Sequence, residues 1–146
     1  MKDKKYYSKL AVEAARTADA KKAENITIYD VESKTGLYYY SLIMNALSSP
    51  HLKAIEEEIV TKFKRENNEY LLHRDGILSQ NWKALDYGGL VIHIFDSNTR
   101  DFYALDKIYS DCKKLKWEKK QIKKEKKEPK SKKAKTQKTK RKKSSK

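Results

Sequence analysis

Three histidines, two serines and several carboxylates are the side chains that could support catalysis. His51 follows Ser48 and Ser49 closely, so a hydroxyl nucleophile and a base could meet there. Phosphoryl or nucleotidyl transfer would instead need carboxylates placed to hold Mg²⁺, or a glycine-rich loop before a helix. The candidate loop, residues 45–49, contains no glycine. The carboxylates near the predicted strands are scattered: Asp30, Asp86 and Asp96. We therefore expect no catalytic residue, cofactor or metal site.

The serine and histidine residues have better structural interpretations. Ser49 is suited to cap a helix, with Pro50 at the first helical position, and His51 in the first turn can bond the preceding loop. His93 lies within an apolar run, where a histidine is usually a hydrogen-bonded core residue. These residues are therefore expected to stabilise the fold. His73 lies in no recognisable catalytic or metal-binding motif.

Cysteine content and hydropathy indicate where the protein works. The single cysteine, Cys112, excludes an internal disulfide and a multi-cysteine zinc site, which is typical of a reducing compartment. No apolar run approaches the roughly 18 residues of a membrane span, and the first residues lack the apolar stretch of a signal peptide. We expect a cytoplasmic protein with no membrane partner.

A short segment with turn residues on both sides carries three large side chains, Trp82, Leu85 and Tyr87. Large residues near a sheet edge usually belong to the core. Trp and Tyr are also favoured anchors of protein interfaces, because they bury much area at little conformational cost. In that second interpretation Lys83 supplies a polar rim. The residues alone leave both interpretations open.

Lysine and arginine are concentrated in the last part of the sequence. Residues 113–146 hold 19 of the 35 Lys and Arg residues and 3 of the 20 Asp and Glu residues, a net charge of +16. Residues 1–112 carry −1. We predict a folded domain over residues 1–112 and a disordered basic tail over 113–146, which can begin as an extension of the last helix. Such a tail would attract RNA in a salt-sensitive, sequence-independent way.

The spacing of apolar residues predicts the elements that position these groups. In chain order they are a helix over 8–23, a hairpin of strands 26–31 and 37–44, a helix from 49, a weak strand before the turn at 74–76, and strands 82–87 and 90–95. A last helix, capped by Asn98 or Thr99, has its inward side formed by Phe102, Leu105, Ile108 or Tyr109, and Cys112. That last pattern can run through Leu115 and Ile122 to Pro129. The order predicts an α/β fold with a small mixed sheet and flanking helices.

Several spaced motifs resemble the signature of one family. The first is Trp82-x-x-x-Asp86-Tyr87-Gly88-x-x-Val91-x-His93-x-Phe95, followed by Arg100-x-x-Tyr103-x-Leu105-Asp106. Upstream stand Lys22-Ala23-x-x-Ile26-x-x-x-Asp30-Val31 and Ser48-Ser49-x-His51-Leu52. Over about residues 8–110 the chain is similar to the ribosomal silencing factor family RsfS, also called Iojap.

The resemblance implies a translational repressor without catalysis. Members of the family bind the large ribosomal subunit at its universal ribosomal protein number fourteen and sterically block association with the small subunit. The implied fold is nucleotidyltransferase-like without catalytic carboxylates, and no small-molecule substrate is expected. The family's partner-binding surface involves the aromatic segment, here Trp82, Leu85 and Tyr87 with Lys83 beside them, which favours exposure, at least for Trp82.

The chain departs from the family pattern at three places. Gly89 stands where the family usually has Asp, Ala46 replaces a usual glycine, and the basic tail is not part of the common pattern. Two rival functions stay open: a general RNA-binding protein acting through its tail, and a nucleotidyltransferase-like enzyme with an unrecognised site. An exposed apolar patch would also allow a homodimer that competes with ribosome binding.

Overall fold

The fold is a six-stranded sheet with helices on its two faces, and the computed structural model describes residues 2–118. Its elements in chain order are α1 (Lys4–Ala20), β1 (Glu24–Asp30), α2 (Glu32–Thr35), β2 (Tyr40–Asn45), α3 (Ser49–Asn67), β3 (His73–Asp75), β4 (Trp82–Asp86), β5 (Leu90–Phe95), α4 (Ser97–Tyr103), α5 (Leu105–Ile108) and β6 (Lys114–Leu115). The strand order is β3-β4-β5-β2-β1-β6. Neighbours are antiparallel except β2 and β5. The predicted α/β fold with a mixed sheet and flanking helices is confirmed.

Helices α1 and α3 cover one face of the sheet, which we call the helix face. The buried side of α1 is made largely of alanine, so this helix lies close to the sheet and to α3. The buried stripe predicted for α3 is observed: Leu52, Ile55, Ile59 and Phe63. The opposite face is covered in part by α4 and α5, which enclose a smaller cluster around Tyr29, Ile43 and Phe95. We call this second side the open face.

The start of α3 differs slightly from the prediction. Ser48, not Ser49, caps the helix, because its side chain accepts a hydrogen bond from the backbone N–H of His51. The imidazole of His51 bonds the preceding loop as expected, since its Nδ1 accepts from the N–H of Leu47 at 2.9 Å. With Nδ1 an acceptor, the proton lies on Nε2, which donates to the carbonyl of Lys21 at 2.6 Å.

The last predicted helix is broken into two. Asp96 caps α4 through a bond from the N–H of Thr99, two or three residues earlier than the predicted caps. Ala104 then adopts a left-handed conformation with φ of 54°, which ends α4 and redirects the chain into α5. The prediction of a single continuous helix was wrong, because a residue in the left-handed conformation cannot continue a right-handed α-helix.

The folded part continues past residue 112, where the sequence analysis placed its end. Residues Lys114–Leu115 form β6 against β1, so Leu115 lies in a strand and not in a helix. The indole of Trp117 donates to the carbonyl of Ile26 at 3.1 Å. Residues 119–146 of the predicted tail, including Ile122 and Pro129, lie outside the described residues. Within residues 2–118, no helix has the length and apolar character needed to cross a bilayer.

Gly89 is explained by close packing between α1 and the sheet. A Cβ atom at this position would overlap the aromatic ring of Tyr7, which is buried against the turn between β4 and β5. The ring of Tyr7 therefore occupies the space that a side chain at residue 89 would need. This contact gives a physical reason for the glycine where the family resemblance implies Asp.

We expect Gly89→Ala to lower the free energy of unfolding by about 1–3 kcal/mol, because overpacking a filled core forces its neighbours to move. Urea denaturation of the full chain measures this loss. In a Tyr7→Ala background the same substitution should cost much less, since the ring is gone. An equal cost in both backgrounds would show that Tyr7 is not the obstacle.

Candidate partner-binding site

The predicted interface residues of β4 separate onto two faces of the sheet. Side chains alternate along a strand, so Trp82 faces one way and Leu85 and Tyr87 the other. Leu85 and Tyr87 are fully buried on the helix face, where the ring of Tyr87 lies 4.9 Å from that of Phe63 between centroids. Their predicted exposure is wrong. Neither side chain is available to a partner in this structure.

Lys83 also lies on the helix face and does not form a rim around Trp82. Its side chain is 8% exposed, and its Nζ donates to the backbone carbonyl of Ile77 at 2.5 Å. The ammonium group thus binds the loop between β3 and β4 from inside. The expected rim position was wrong because residues 82 and 83 point to opposite faces.

Trp82 belongs to an aromatic cluster on the open face. Its half-buried ring lies 6.0 Å from that of Tyr103, and the rings of Phe102 and Tyr103 meet edge to face at 5.4 Å. Phe102 is 83% exposed and Tyr103 51% exposed. We call Trp82, Phe102 and Tyr103 the aromatic patch. The predicted inward position of Phe102 was wrong, because α4 ends at Ala104 and leaves this ring exposed.

The hollow beside the aromatic patch is lined by polar, uncharged side chains. Together with the three rings, this lining consists of Ser79, Asn81, Asn98 and Thr99. Phe95 lies beneath, stacked on Tyr103 with 5.8 Å between centroids. The patch therefore combines an apolar centre with a neutral, hydrogen-bonding hollow on one side, an arrangement typical of protein–protein interfaces.

Arg100 holds α4 in place and so fixes the aromatic patch. Its Nε and Nη2 donate to the two carboxylate oxygens of Asp106 at 2.9 and 3.0 Å. Its Nη1 donates to the carbonyl of Asn25 and to the amide oxygen of Asn45 at 2.6 and 2.8 Å. These bonds join α4 and α5 to the ends of β1 and β2. Hydrogen bonding from Arg100 also lowers the pKa of Asp106 below its usual range.

His93 continues the stack of rings across the open face. Its imidazole is parallel to the ring of Phe95, with 5.8 Å between centroids. The Nδ1 atom is enclosed and has no hydrogen-bond partner among residues 2–118, so the expected fully bonded histidine is not observed. Burial lowers the pKa of His93 to about 4. The ring is therefore neutral at physiological pH.

The three carboxylates considered for metal binding each have a separate role. Asp30 pairs with Lys4 at 2.9 Å, and Asp86 accepts a bond from the N–H of Gly88 in the turn before β5. Asp96 caps α4. Within residues 2–118, no three His, Cys, Asp or Glu side chains are grouped so that they could hold a metal ion.

We expect Arg100→Met to lower the free energy of unfolding by about 3 kcal/mol, because it leaves buried partners of the guanidinium unpaired. Arg65→Met is the matched control, since the ion pair of Arg65 with Glu66 is exposed and should contribute little. Urea denaturation compares the two variants. Equal, small losses would show that the buried network does not hold α4.

The lowered pKa of His93 predicts that stability falls on acidification. Between pH 6.5 and about 4, His93 is protonated in the unfolded chain but remains neutral in the folded protein. This group should therefore remove on the order of 3 kcal/mol of unfolding free energy across that window, and nothing further below it. Denaturation at several pH values measures the slope. His93→Gln should flatten the profile, and parallel profiles would contradict the assignment.

Comparisons with known proteins agree on one family. The model of the family described as "Ribosomal silencing factor during starvation" matches residues 4–145, a longer stretch than the motifs had covered. The ribosomal silencing factor RsfS of Bacillus subtilis is 32% identical over 98 residues, which are 67% of this chain and 82% of that protein. The chloroplast protein Iojap of Arabidopsis thaliana is 28% identical over 69% of this chain and 42% of its own length.

Two solved structures share the fold. A crystal structure from Bacillus halodurans superposes with a TM-score of 0.62 at 25% identity, covering 77% of this chain and 98% of that one. A protein from Chromobacterium violaceum gives 0.65 at 24% identity, over 75% and 88% of the two chains. The motifs, the mixed sheet and these matches together show that the chain belongs to the RsfS family of ribosomal silencing factors.

Proposed function

We propose that this chain binds the large ribosomal subunit through the aromatic patch and blocks association with the small subunit by its bulk. No covalent bond changes in this mechanism. The observation that carries the proposal is the outward display of Phe102 and Tyr103 on a helix fixed by Arg100, in a chain of this family. An aromatic ring of this kind can bury about 150–250 Å² in an interface.

The rigidity of the aromatic patch lowers the entropic cost of binding a partner. Association normally costs the ordering of side chains and loops at the interface, and groups already fixed in the free protein avoid that cost. Arg100 fixes α4, and Tyr103 packs between Trp82 and Phe95. Binding a partner would therefore require desolvation of the Phe102 ring but little further ordering of α4.

The neutral hollow beside the aromatic patch favours a protein as the contact on the ribosome. RNA is attracted chiefly by cations, whereas residues 1–112 carry a net charge of −1 and the hollow beside the patch has no charged side chain. We therefore propose that the patch binds universal ribosomal protein number fourteen, the contact that the family resemblance implies. Trp82 takes part through its exposed edge.

The separate engagement of the three carboxylates supports binding over catalysis. An ion pair, a turn and a helix cap use Asp30, Asp86 and Asp96 individually. We therefore propose a domain with a nucleotidyltransferase-like fold that uses no substrate or cofactor. We also propose that it acts in the cytoplasm. A homodimer formed through the aromatic patch would compete with ribosome binding.

A second candidate function rests on the basic tail. The charge of +16 over residues 113–146 would provide contacts with ribosomal RNA, or on its own a general RNA-binding activity. We propose that the tail adds affinity through ribosomal RNA, whereas the aromatic patch determines which ribosomal component is bound. The two functions differ in how binding depends on Phe102 and on salt.

We expect Phe102→Ala to weaken binding of the full chain to purified large subunits by about tenfold or more, because an interface anchor is lost. Sedimentation at several salt concentrations measures binding, and a subunit-joining assay measures silencing. The exposed ring of Phe102 contacts little else, so the fold should persist, whereas half-buried Trp82 is a less clean target.

Tyr70→Ala is the control, since Tyr70 is 55% exposed and lies before β3, at the other end of the sheet. It should bind and silence like the unchanged chain. If Phe102→Ala also binds normally and all three proteins lose binding steeply with salt, the tail alone carries the interaction and the steric proposal fails.

A further inference from the structure

Exposed apolar side chains gather at one end of the sheet. This end is where β2 and β5 finish and β4 begins, since Trp82 pairs with Phe95 and Asn45 lies beside Phe95. In the described part of the chain, nine large hydrophobic residues are exposed. Five of them belong to segments at this end: Leu47, Ile77, Leu78, Phe102 and Tyr103. Three of the five lie outside the aromatic patch, and two of these three, Ile77 and Leu78, follow one another in the loop between β3 and β4.

That loop, residues 76–79, is fixed by several independent bonds, and we call it the aliphatic loop. Gly76 has φ of 75° and packs so closely on Trp82 that no side chain would fit. The N–H of Ser79 donates to the carbonyl of Gly76 at 2.9 Å, and its hydroxyl accepts from the N–H of Trp82 at 3.0 Å. Lys83 bonds the carbonyl of Ile77 from the buried side. The backbone of the aliphatic loop is therefore held in one conformation.

The side chains of this fixed loop point into solvent. Leu78 is 96% exposed and Ile77 is 61% exposed, although both would gain free energy by leaving water. The Nζ atom of Lys83, a residue that is only 8% exposed, bonds the backbone of the loop in the conformation that holds Leu78 outward. Fixed backbone under exposed aliphatic side chains is the arrangement of a preorganised contact surface.

The aliphatic loop is continuous with the aromatic patch. Ser79 lines the hollow beside Trp82 and Phe102, and it also lines the groove between the aliphatic loop and α3. A partner seated on the aromatic patch would therefore reach the aliphatic loop at Ser79, whereas the groove on the α3 side of the loop also carries charged side chains, among them Glu57 and Arg74. Aliphatic side chains offer no hydrogen bond to a base and no charge to a phosphate, so they fit an apolar hollow on a protein.

We propose that the aliphatic loop is a second arm of the docking surface, in which Leu78 inserts into an apolar hollow of the same protein partner. Lys83 is the positioning residue: it does not touch the partner, and it holds the carbonyl of Ile77 so that Leu78 projects. This inference rests on the proposed function, because it takes the large ribosomal subunit as the carrier of that partner.

We expect Leu78→Ser in the full chain to weaken binding to purified large subunits by about fivefold or more, which sedimentation measures. Leu37→Ser is the matched control, since Leu37 is 77% exposed and precedes β2 at the other end of the strands. The control should bind normally. Leu78 has almost no contacts to lose, so the variant should keep its fold.

Lys83→Met tests the positioning role. We expect faster amide hydrogen exchange at residues 77–79, unchanged exchange in α1 and α3, and weaker binding of the same order as in Leu78→Ser. A residue that is 8% exposed cannot act by touching the partner, so loss of binding together with local loosening supports the proposal. Faster exchange with unchanged binding would overturn it.

The outcomes separate this inference from the function on which it rests. If Phe102→Ala weakens binding and Leu78→Ser does not, the aliphatic loop is no contact and the proposed function stands. If neither variant weakens binding, both proposals fail. If Leu78→Ser only dissociates a homodimer and leaves large-subunit binding unchanged, the aliphatic loop contacts a second copy and the inference is overturned.

Discussion

The buried guanidinium of Arg100 is the interaction on which the arrangement of the open face depends. It binds Asp106 on the other side of the left-handed turn at Ala104, and it binds the ends of β1 and β2 at Asn25 and Asn45. Tyr29 adds a hydrogen bond to the same carboxylate. Without this network a seven-residue helix has little to fix it, since isolated helices of that length are unstable in water. The display of aromatic rings is thus a consequence of a charge satisfied inside the protein.

The sequence predicted most elements because their apolar periodicity is local. The long helices, the first hairpin and β4 and β5 all follow from such patterns, and the family resemblance rests on the same segments. The two-residue β6 has no periodicity to read, and its pairing with β1 joins residues far apart in the chain. The break at Ala104 carries no signal either, because alanine is the strongest helix former. These two features decide where the domain ends and which rings face solvent.

The sequence correctly pointed to Trp82 as part of an accessible aromatic cluster, but it misled about Leu85, Tyr87 and Lys83. The reason is the alternation of side chains along a strand. Trp82 has even parity and Leu85 and Tyr87 odd, so a strand must place them on opposite faces. Treating them as one patch ignored this rule, and Lys83 was misplaced for the same reason. Phe102 and Ile77 could not be found from sequence, because their exposure follows from the Arg100 network and from the bonds that fix the aliphatic loop. The aromatic patch and the aliphatic loop are therefore brought together by tertiary contacts, which the local sequence pattern does not encode.

The two residues of β6 also bear on how the protein behaves in a crowded solution. Strand β1 contains Ile26, Thr27, Ile28 and Tyr29, a composition well suited to pairing with strands of other molecules. β6 covers Ile28 and Tyr29, and the indole of Trp117 takes the carbonyl of Ile26. An open edge of this kind would be a template for intermolecular sheet growth. With β6 in place, the described sheet ends on this side in a strand of only two residues, so the chain exposes apolar side chains at one end of its sheet while offering little strand here for intermolecular pairing.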